Sequence, residues 1–499
     1  MHKKIMLQGT GSSVGKSVLT AGLCRIFSQD GYKVAPFKSQ NMALNSFVDE
    51  DGKEMSKAQV IQAEAANTTP KAFMNPILLK PTGDNNSSQV ILEGIPFKNM
   101  QAKEYYKNNP LFREIIVRNY NILKENFEIG VIEGAGSPAE INFRKNDIVN
   151  MGMAEIADSN IILVADVERG GVFASIFGTL MLLDKADRDR IKGYILNKFR
   201  GDTSLLIEGV SLLEEKLKSN NLNVPCLGIL PYIDLDLENE DSYNFSPKDE
   251  KAKKDLNIAV INFEKLSNST DFTSLLVYED VNLTYINSKE QLTGDFDLII
   301  LPGSKNAIYD YTLIEARKIT QGIVEYINKG TPVVAIHSGF QMLGKAIKDL
   351  KQVESSFIKA ETLGILNMTT NMKEKKYTKQ VTKTLTNCTG ILEGFDGITV
   401  SGCEIHQGVT TGEDSKFSVT GEDNFALICK DNIIGTYIHG LFNSPKFTRK
   451  FLNKLRSKKG LEPILDYVNM ETHQETELKK LAKLMRLNLD LKKIYEILK

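Results

Sequence analysis

The sequence predicts an α/β protein with two successive parallel-sheet units, and three observations lead to this fold class. Short apolar runs typical of strands alternate with amphipathic stretches typical of helices, which indicates parallel sheets covered by helices. Most of these runs end in Gly, Asp, Asn or Glu, at the strand ends where α/β proteins gather their chemistry. A charged stretch poor in core residues, 234–255, separates the two units.

Composition fits this reading and excludes several classes of protein. The 499 residues, 41% hydrophobic, provide for about three folding units at roughly 150 residues each, so a disordered chain is excluded. A net charge of −1 excludes a chain-wide nucleic-acid footprint, and no apolar run reaches the roughly 18–20 residues of a membrane span. The chain enters its first strand without a signal-peptide pattern. We expect a cytoplasmic protein without nucleic-acid or membrane partners, and the sequence leaves a homo-oligomer open.

The five cysteines are scattered and have no paired spacing. An odd number without CxxC pairs indicates a reducing compartment and argues against a zinc site or a disulfide frame.

The pattern places strands in both units and divides the chain into four parts. We predict a helix over 17–30 and a packed pair of helices after residue 444. The predicted strands are 5–7, 34–37, 129–133, 161–166, 194–197 and 227–230, then 257–263, 297–301, 332–336, 398–401 and 434–438. The predicted parts are a first domain over 1–235, a linker over 236–256, a second domain over 257–445 and a helical tail over 446–499.

The first candidate site is a phosphate-binding loop, GTGSSVGKS, which follows a strand and opens a helix at residues 9–17. Its backbone N–H groups would converge on phosphate oxygens at the helix N-terminus. We predict that Lys16 reaches the β- and γ-phosphates of ATP and that the Ser17 hydroxyl binds Mg²⁺. The strand–loop–helix setting disfavours the alternative, a Gly/Ser turn with a chance Gly-Lys-Ser. The other predicted ATP-binding positions of the loop are Gly9, Thr10, Gly11 and Gly15, of which Thr10 departs from the strict glycine spacing.

Four further polar residues follow strands of the same unit. Glu133 is suited to hold Mg²⁺ or its water, with a surface acidic turn as the alternative. Lys38 could neutralise charge on the phosphoryl group during transfer, or be an ordinary exposed lysine. Asn197 and Lys198 could contact the nucleotide base, although Asn is also a common turn residue.

Seven segments are more specific than a phosphate loop, and together they resemble the cobyric acid synthase family over essentially the whole chain. These segments are 34–47, 58–66, 74–81, 132–142, 147–155, 169–175 and 197–202. The resemblance implies a P-loop NTPase-like domain similar to dethiobiotin synthetases, followed by a flavodoxin-like class I glutamine amidotransferase domain. The loop variant with Thr10 is the one that both families use.

The resemblance also implies a reaction. ATP would phosphorylate a side-chain carboxylate of adenosylcobyrinic acid a,c-diamide, and ammonia would displace the phosphate, at the b, d, e and g positions in turn. It assigns Mg²⁺ to Ser17 and Glu133 and places Lys38 near the phosphoryl group. The candidates for corrinoid contact are Gln40, Asn41 and Asn45, whose alternative role is to stabilise their own loop.

The second half resembles the amidotransferase part of that family. The segment LPGSKN at 301–306 matches its oxyanion-side loop, which contains Gly303, and GCEIHQG at 402–408 matches a later motif. The segment GTYIHGLF at 435–442 places His439 as the general base that activates a cysteine thiol.

The expected cysteine nucleophile is missing. The family pattern G-x-C-x-G-[YF]-Q-M-L-G corresponds to AIHSGFQMLG at 335–344, which puts His337 in the cysteine position. Ser338 is one residue out of register and an unactivated serine is a weak nucleophile, so we place it on the oxyanion side. We therefore hypothesise that glutamine hydrolysis is lost and that the nitrogen comes from free ammonia or from ammonia supplied by a partner.

Four other interpretations remain. A non-catalytic or regulatory P-loop ATPase module with a degenerate amidotransferase domain is disfavoured by the joint presence of Lys16, Ser17, Glu133 and Lys38. A dethiobiotin-type synthetase leaves the C-terminal half unexplained. An a,c-diamide synthase is disfavoured by segment 40–47. A peptidoglycan amidotransferase is disfavoured because its amidotransferase is usually a separate chain.

Overall fold

The structure is a computed structural model that describes residues 2–81, 87–235, 254–421 and 426–498. Most of the predicted linker, 236–256, therefore lies outside the described residues. Among the helices within these ranges, none is both long enough and apolar enough to cross a bilayer. The five cysteines are all free thiols.

Residues 2–235 alternate strands and helices, and the six strands predicted there are present. The strands are β1 (Lys3–Gly9), β2 (Val34–Phe37), β3 (Gln40–Met42), β4 (Ser46–Val48), β5 (Glu54–Ser56), β6 (Ile77–Pro81), β7 (Ser87–Leu92), β8 (Ile95–Gln101), β9 (Ile129–Glu133), β10 (Asn160–Asp166), β11 (Ile191–Phe199) and β12 (Cys226–Pro231). The helices are α1 (Lys16–Gln29), α2 (Lys57–Ala65), α3 (Ala102–Lys107), α4 (Asn109–Asn126), α5 (Met151–Ala157), α6 (Val172–Leu182), α7 (Lys185–Arg188) and α8 (Ser204–Ser219).

A six-stranded parallel sheet, in the order β12-β11-β10-β1-β9-β2, forms the centre of this unit. Its strands are near-continuous apolar runs because helices cover both faces; Ile5, Met6 and Leu7 are fully buried. Since β1 lies between β9 and β10, the loop that follows β1 stands at the middle of the carboxyl edge. A second sheet, β3-β6-β7-β8, was not predicted.

Residues 254–498 begin with the second α/β unit. Its strands are β13 (Leu256–Ile261), β14 (Leu266–Ser267), β15 (Val281–Ile286), β16 (Leu298–Leu301), β17 (Gly303–Ser304), β18 (Val333–Ile336), β19 (Ala346–Lys348), β20 (Lys359–Glu361), β21 (Met368–Thr384), β22 (Thr399–Gly412), β23 (Leu427–Lys430), β24 (Ile433–Thr436) and β25 (Ile438–His439). The helices are α9 (Thr270–Thr273), α10 (Ala307–Ala316), α11 (Ile319–Asn328), α12 (Ser338–Leu343), α13 (Pro445–Lys458), α14 (Met470–Asn488) and α15 (Leu491–Ile497).

The core sheet of the second unit has the order β15-β13-β16-β18-β24-β23. Counted along the chain, its five parallel strands run 2-1-3-4-5, the flavodoxin-like order, with β23 antiparallel at the edge. The long hairpin β21–β22 belongs to a separate sheet, β20-β19-β21-β22-β25, and includes the predicted strand 398–401.

The segment that we grouped as one helical tail divides between the two units. Helix α13 packs Phe447, Phe451 and Leu452 into the core of the second unit. Helices α14 and α15 return to the first unit, where Leu481 and Met485 join the core around α1. The last helices therefore complete the unit that contains the phosphate loop.

Polar and charged contacts join the two units. Asn45 accepts a hydrogen bond from the backbone N–H of Ser269 at 3.2 Å, and Asn268 accepts one from Ser46 N–H at 2.9 Å. Glu54 is fully buried and forms ion pairs with Lys80 of its own unit and with Lys376 of the other, the latter at 2.6 Å.

Candidate active sites

The phosphate loop has the backbone that its sequence predicts. Gly15 adopts a left-handed conformation with φ of 97°, and a Cβ there would lie 2.1 Å from Asn197 Nδ2. A Cβ on Gly9 would lie 2.7 Å from Gly11 O, so both positions require glycine. Lys16 is buried and donates to Gly11 O at 3.1 Å and to Gly136 O at 3.2 Å, which holds its ammonium group inside the loop.

Asn197 and Lys198 support the loop from the end of β11. Asn197 Nδ2 donates to Val14 O at 2.9 Å, and Lys198 donates to Ser13 O at 2.5 Å. Lys198 also pairs with Asp166 at 3.0 Å, a carboxylate at the end of β10. Both predicted base-contact residues thus bind the loop's own backbone.

Glu133, at the end of β9, collects the other predicted residues of this centre. Its carboxylate accepts hydrogen bonds from Ser17 Oγ at 2.7 Å, Lys38 Nζ at 2.9 Å and Gln62 Nε2 at 2.5 Å. Burial alone would raise the pKa of Glu133, but the charge of Lys38 and these hydrogen bonds outweigh burial and hold the pKa below its usual value. The carboxylate is therefore ionised and set beside the hydroxyl of Ser17.

The three candidates for corrinoid contact lie in different surroundings. Gln40 accepts a hydrogen bond from the Tyr105 hydroxyl. Asn41 is buried and donates to Ser56 Oγ at 2.9 Å and Gln59 Oε1 at 2.8 Å, as the loop-stabilising alternative expects. The side chain of Asn45 binds Ser269 of the second unit, so it belongs to the contact between the units.

His337 stands in the strand–turn–helix elbow of the second unit, between β18 and α12. Its φ of 53° and ψ of −113° are strained for a residue with a side chain. The tight turn depends on Gly339, because a Cβ there would lie 2.2 Å from Leu301 O. The elbow that normally presents a nucleophile is thus intact around a histidine.

The imidazole of His337 is buried and neutral. Burial, followed by the nearby His439 and His406, lowers the pKa of His337 well below its usual value. A neutral imidazole could attack an amide in principle, but the acyl-imidazole would be a poor substitute for the thioester that a cysteine forms, and the ring is bulkier than a thiol.

His439 keeps the partner expected of a general base. Its Nδ1 lies 2.7 Å from Asp271 Oδ2, and the other oxygen of Asp271 accepts a hydrogen bond from Gly440 N–H at 2.8 Å. This carboxylate fixes the orientation of the ring and directs Nε2 away from Asp271. The His439 and His337 ring centroids are 5.3 Å apart, so the base faces the elbow.

Ser338 and Gly303 lie on the other side of the elbow. The Ser338 hydroxyl is fully buried, accepts a hydrogen bond from Ser304 N–H and donates to Ser304 O at 3.2 Å. This pairing excludes Ser338 as a freely attacking hydroxyl. Gly303 adjoins the elbow, since a Cβ on it would lie 3.7 Å from His337 Cβ.

Sequence reasoning missed three residues of these centres. Gln62 lies inside the segment 58–66, which carried the family resemblance without a role for this residue. Asp166 had a signal, because it ends a predicted strand. Asp271 had none: it is 168 positions from His439, and only the fold brings the two together.

Comparisons with known proteins agree with both halves of this picture. Residues 5–245 match the family described as the CobQ/CobB/MinD/ParA nucleotide binding domain, and residues 257–447 match the CobB/CobQ-like glutamine amidotransferase domain. A cobyric acid synthase of Thermoanaerobacter sp. (strain X514) is 44% identical, and one of Salmonella typhimurium is 46% identical. Each alignment covers 100% of this chain and 99% of the relative. The chain belongs to the cobyric acid synthase family.

Membership in the cobyric acid synthase family confirms the predicted fold class, with a nucleotide-binding domain followed by an amidotransferase domain. It also confirms that the chain is an enzyme, a ligase of cobalamin biosynthesis that uses ATP. The source of the nitrogen is a separate question, because it depends on the elbow that holds His337.

Proposed function

We propose that this enzyme amidates the b, d, e and g carboxylates of adenosylcobyrinic acid a,c-diamide with ammonia that it does not generate from glutamine. The observation that carries the nitrogen source is His337 in an otherwise intact nucleophile elbow. The corrinoid substrate and the four positions rest on the family to which the chain belongs.

The residues of the first centre fit ATP and Mg²⁺. The glycine positions of the loop leave room for phosphate oxygens, and Lys16 already lies within the loop. Ser17 and the ionised Glu133 supply a hydroxyl and a carboxylate oxygen 2.7 Å apart, the type of ligand that Mg²⁺ prefers. When bound, the metal would offset negative charge on the phosphates.

The reaction proceeds in two displacements. An oxygen of the substrate carboxylate attacks the γ-phosphorus of ATP, a new P–O bond forms, and the bond to the leaving ADP breaks. The ammonium groups of Lys16 and Lys38 stabilise the negative charge on the transferring group. Ammonia then attacks the acyl carbon and forms the C–N bond. The bond between the acyl carbon and the phosphate oxygen breaks, phosphate leaves with the electron pair, and the nitrogen loses one proton to water.

The second unit lacks the covalent step of glutamine hydrolysis. That step needs a nucleophile which attacks the amide carbon while a base accepts its proton. His439 and Asp271 still form the base, but the elbow presents a neutral imidazole and the Ser338 hydroxyl is engaged with Ser304. The base therefore has no partner to activate, which supports ammonia as the nitrogen source.

The test is amidation of adenosylcobyrinic acid a,c-diamide with Mg-ATP, followed by mass spectrometry, in parallel with glutamine and with an ammonium salt. We expect mass gains that match successive amides with ammonium and no product with glutamine. Product formed equally with glutamine would contradict the loss of the glutaminase. Absence of product with either source would contradict the proposed reaction.

His337→Cys places a thiol on the same elbow, facing the His439–Asp271 pair. We expect this variant to release glutamate from glutamine, and His337→Ala, as the matched control, to release none. The reason is that the elbow backbone, the base and its carboxylate are already in position. If His337→Cys folds and releases no glutamate, the pocket has lost function at further positions.

A further inference from the structure

An exposed aromatic stack joins α3 to the 3-10 turn that follows β9, the strand that ends at Glu133. Tyr106 in α3 stacks on Phe143 in the 3-10 turn Ile141–Asn146, with ring centroids 5.8 Å apart and planes 14° apart. Tyr106 is 38% exposed, Phe143 is 43% exposed, and Ile141 of the same turn is 54% exposed. A clustered apolar surface of this kind marks a binding surface more often than scattered single residues do.

The stack is connected to the reaction centre from two sides. The loop between β9 and the 3-10 turn contains Gly136, whose carbonyl accepts the hydrogen bond from Lys16. On the other side, Tyr105 donates to Gln40 Oε1 and packs on Phe112 with ring centroids 4.5 Å apart. The segment that leads to Phe143 thus also contacts Lys16, and the residue before Tyr106 contacts Gln40, which is predicted to contact the corrinoid.

Three exposed lysines lie near Tyr106 and Phe143 in the sequence. Lys103 precedes Tyr106 by one helical turn, Lys107 follows it directly, and Lys145 lies two positions after Phe143. Within the described ranges, none of these three lysines forms an ion pair, so their charges are available to an acidic ligand. A hydrogen bond of 3.0 Å from Asn109 Nδ2 to Asn146 O connects the start of α4, which follows α3, to the 3-10 turn.

We propose that the Tyr106–Phe143 stack binds the flat face of the corrinoid ring and that Lys103, Lys107 and Lys145 bind the carboxylates on its rim. This proposal rests on the proposed function, which supplies the substrate. The corrin macrocycle is largely apolar, carries carboxylates at its edge and has one face that its adenosyl ligand leaves open, so its shape and charge complement both parts of this surface.

The surface also accounts for four reactions at one centre. Contact between an apolar ring and an aromatic stack has no preferred direction, so the macrocycle can rebind in a rotated position after each turnover. Each amidation removes one negative charge from the rim. The attraction of the lysines therefore weakens stepwise, which favours release of the fully amidated product over its precursors.

The experiment compares Tyr106→Ala and Phe143→Ala with the unmodified full chain. Corrinoid affinity is measured without ATP, by titrating adenosylcobyrinic acid a,c-diamide and following its visible absorbance. We expect Kd to rise about tenfold for each variant, which corresponds to about 1.4 kcal/mol. Tyr106→Phe, which keeps the aromatic ring, should retain the affinity of the unmodified chain. Tyr467→Ala changes another exposed tyrosine and should also leave the affinity unchanged.

Lys103→Ala/Lys107→Ala tests the charged part of the surface. We expect KM to rise more for the a,c-diamide than for the partly amidated intermediates, and the effect to shrink at high salt. Unchanged Kd and KM in these variants would overturn the proposal even if the unmodified chain amidates its substrate. Because the titration needs no turnover, failure of the proposed reaction is recognised separately, as absence of amide in the unmodified chain.

Discussion

At the residue scale, the first centre depends on one carboxylate that serves several neighbours. Glu133 is 1% exposed and accepts hydrogen bonds from Ser17, Lys38 and Gln62. It also pairs with the buried ammonium group of Lys38 at 2.9 Å and balances its charge. The same residue thus keeps the centre folded and provides an oxygen ligand for the metal.

Glu133→Gln separates these two roles. The amide keeps the size and part of the hydrogen bonding, but it removes the charge that holds Mg²⁺ and pairs with Lys38. We expect ammonium-dependent kcat to fall by about 10²–10³, measured as ADP release with the corrinoid present. Glu125→Gln, at an exposed position of α4, is the matched control. A Glu133→Gln enzyme with unchanged kcat would rule out the metal role.

The residues of this centre differ in how far the sequence predicts them. Lys16 and Ser17 stand in a motif with a fixed structural setting, and Lys38 and Glu133 follow strands that meet at one sheet edge. Gln62 lies inside a helix, where nothing in the local pattern marks it as a ligand of Glu133, 71 positions away. Roles that depend on the folding of distant segments onto each other leave no local signal.

At the element scale, the sequence predicted the parallel strands of the two core sheets except β15, and of the antiparallel strands it missed most, β21 among them, although it found the part of β22 at 398–401. Strands buried on both faces are apolar runs that stand out from their flanks. Strand β21, in contrast, is mostly exposed and rich in lysine, with buried positions at Met368, Thr370, Met372 and Val381. Backbone hydrogen bonds to its partner β22 stabilise β21 as a strand, so its own sequence does not predict a strand there.

The contact between α1 and α14 depends on a glycine, Gly22, which has no side chain. A Cβ on Gly22 would lie 2.0 Å from Met485 Sδ and 3.3 Å from Leu481 Cγ. We expect Gly22→Val to lower the free energy of unfolding by about 1–3 kcal/mol through overpacking. Adding Met485→Ala should cost less in this background than in the unmodified chain, because the clash is relieved.

The coupling between the two positions is measured by urea unfolding of the unmodified chain, Gly22→Val, Met485→Ala and the double variant. Gly178→Val is the matched control, since Gly178 is also helical and a Cβ there meets no atom within 4 Å. Strictly additive effects of Gly22→Val and Met485→Ala would show that the two helices do not pack as described.

At the scale of the whole molecule, a buried ion pair joins the two units. Glu54 of the first unit is 0% exposed and pairs with Lys376 of the second, which is also buried. Burial lowers the pKa of Lys376 to about 8, and the charge of Glu54 opposes part of this fall. The joint is held by ion pairing, and its strength therefore depends on the protonation of the lysine.

Glu54→Gln leaves Lys376 buried without this counter-charge. We expect a loss of about 3–5 kcal/mol in the free energy of unfolding near pH 7 and faster hydrogen exchange along β21. Because folding depresses the pKa of this lysine, the folded variant releases a proton that the unfolded chain retains. Without Glu54 the pKa of Lys376 in the folded variant falls below the value of about 8 that it has in the unmodified chain, so the stability of the variant should rise with pH from below 8 towards the unfolded value near 10.5.

Two further chains test this joint. Glu50→Gln, at an exposed carboxylate that pairs with Lys71, is the matched control and should have little effect. Adding Lys376→Met to Glu54→Gln should recover part of the lost stability, since it removes one of the two lysine charges, Lys376 and Lys80, that Glu54 balances. If the double variant is less stable than Glu54→Gln alone, the lysine contributes by packing and not by charge.

The return of α14 and α15 to the first unit has a consequence for synthesis on the ribosome. The first unit leaves the exit tunnel with the apolar face of α1 uncovered, and the residues that cover it begin near Leu478. At about 5–20 residues per second, translation from residue 235 to residue 478 takes roughly 10–50 s. During this interval the nascent chain exposes the apolar face of α1, so we expect it to require protection by a chaperone until α14 and α15 have been synthesised.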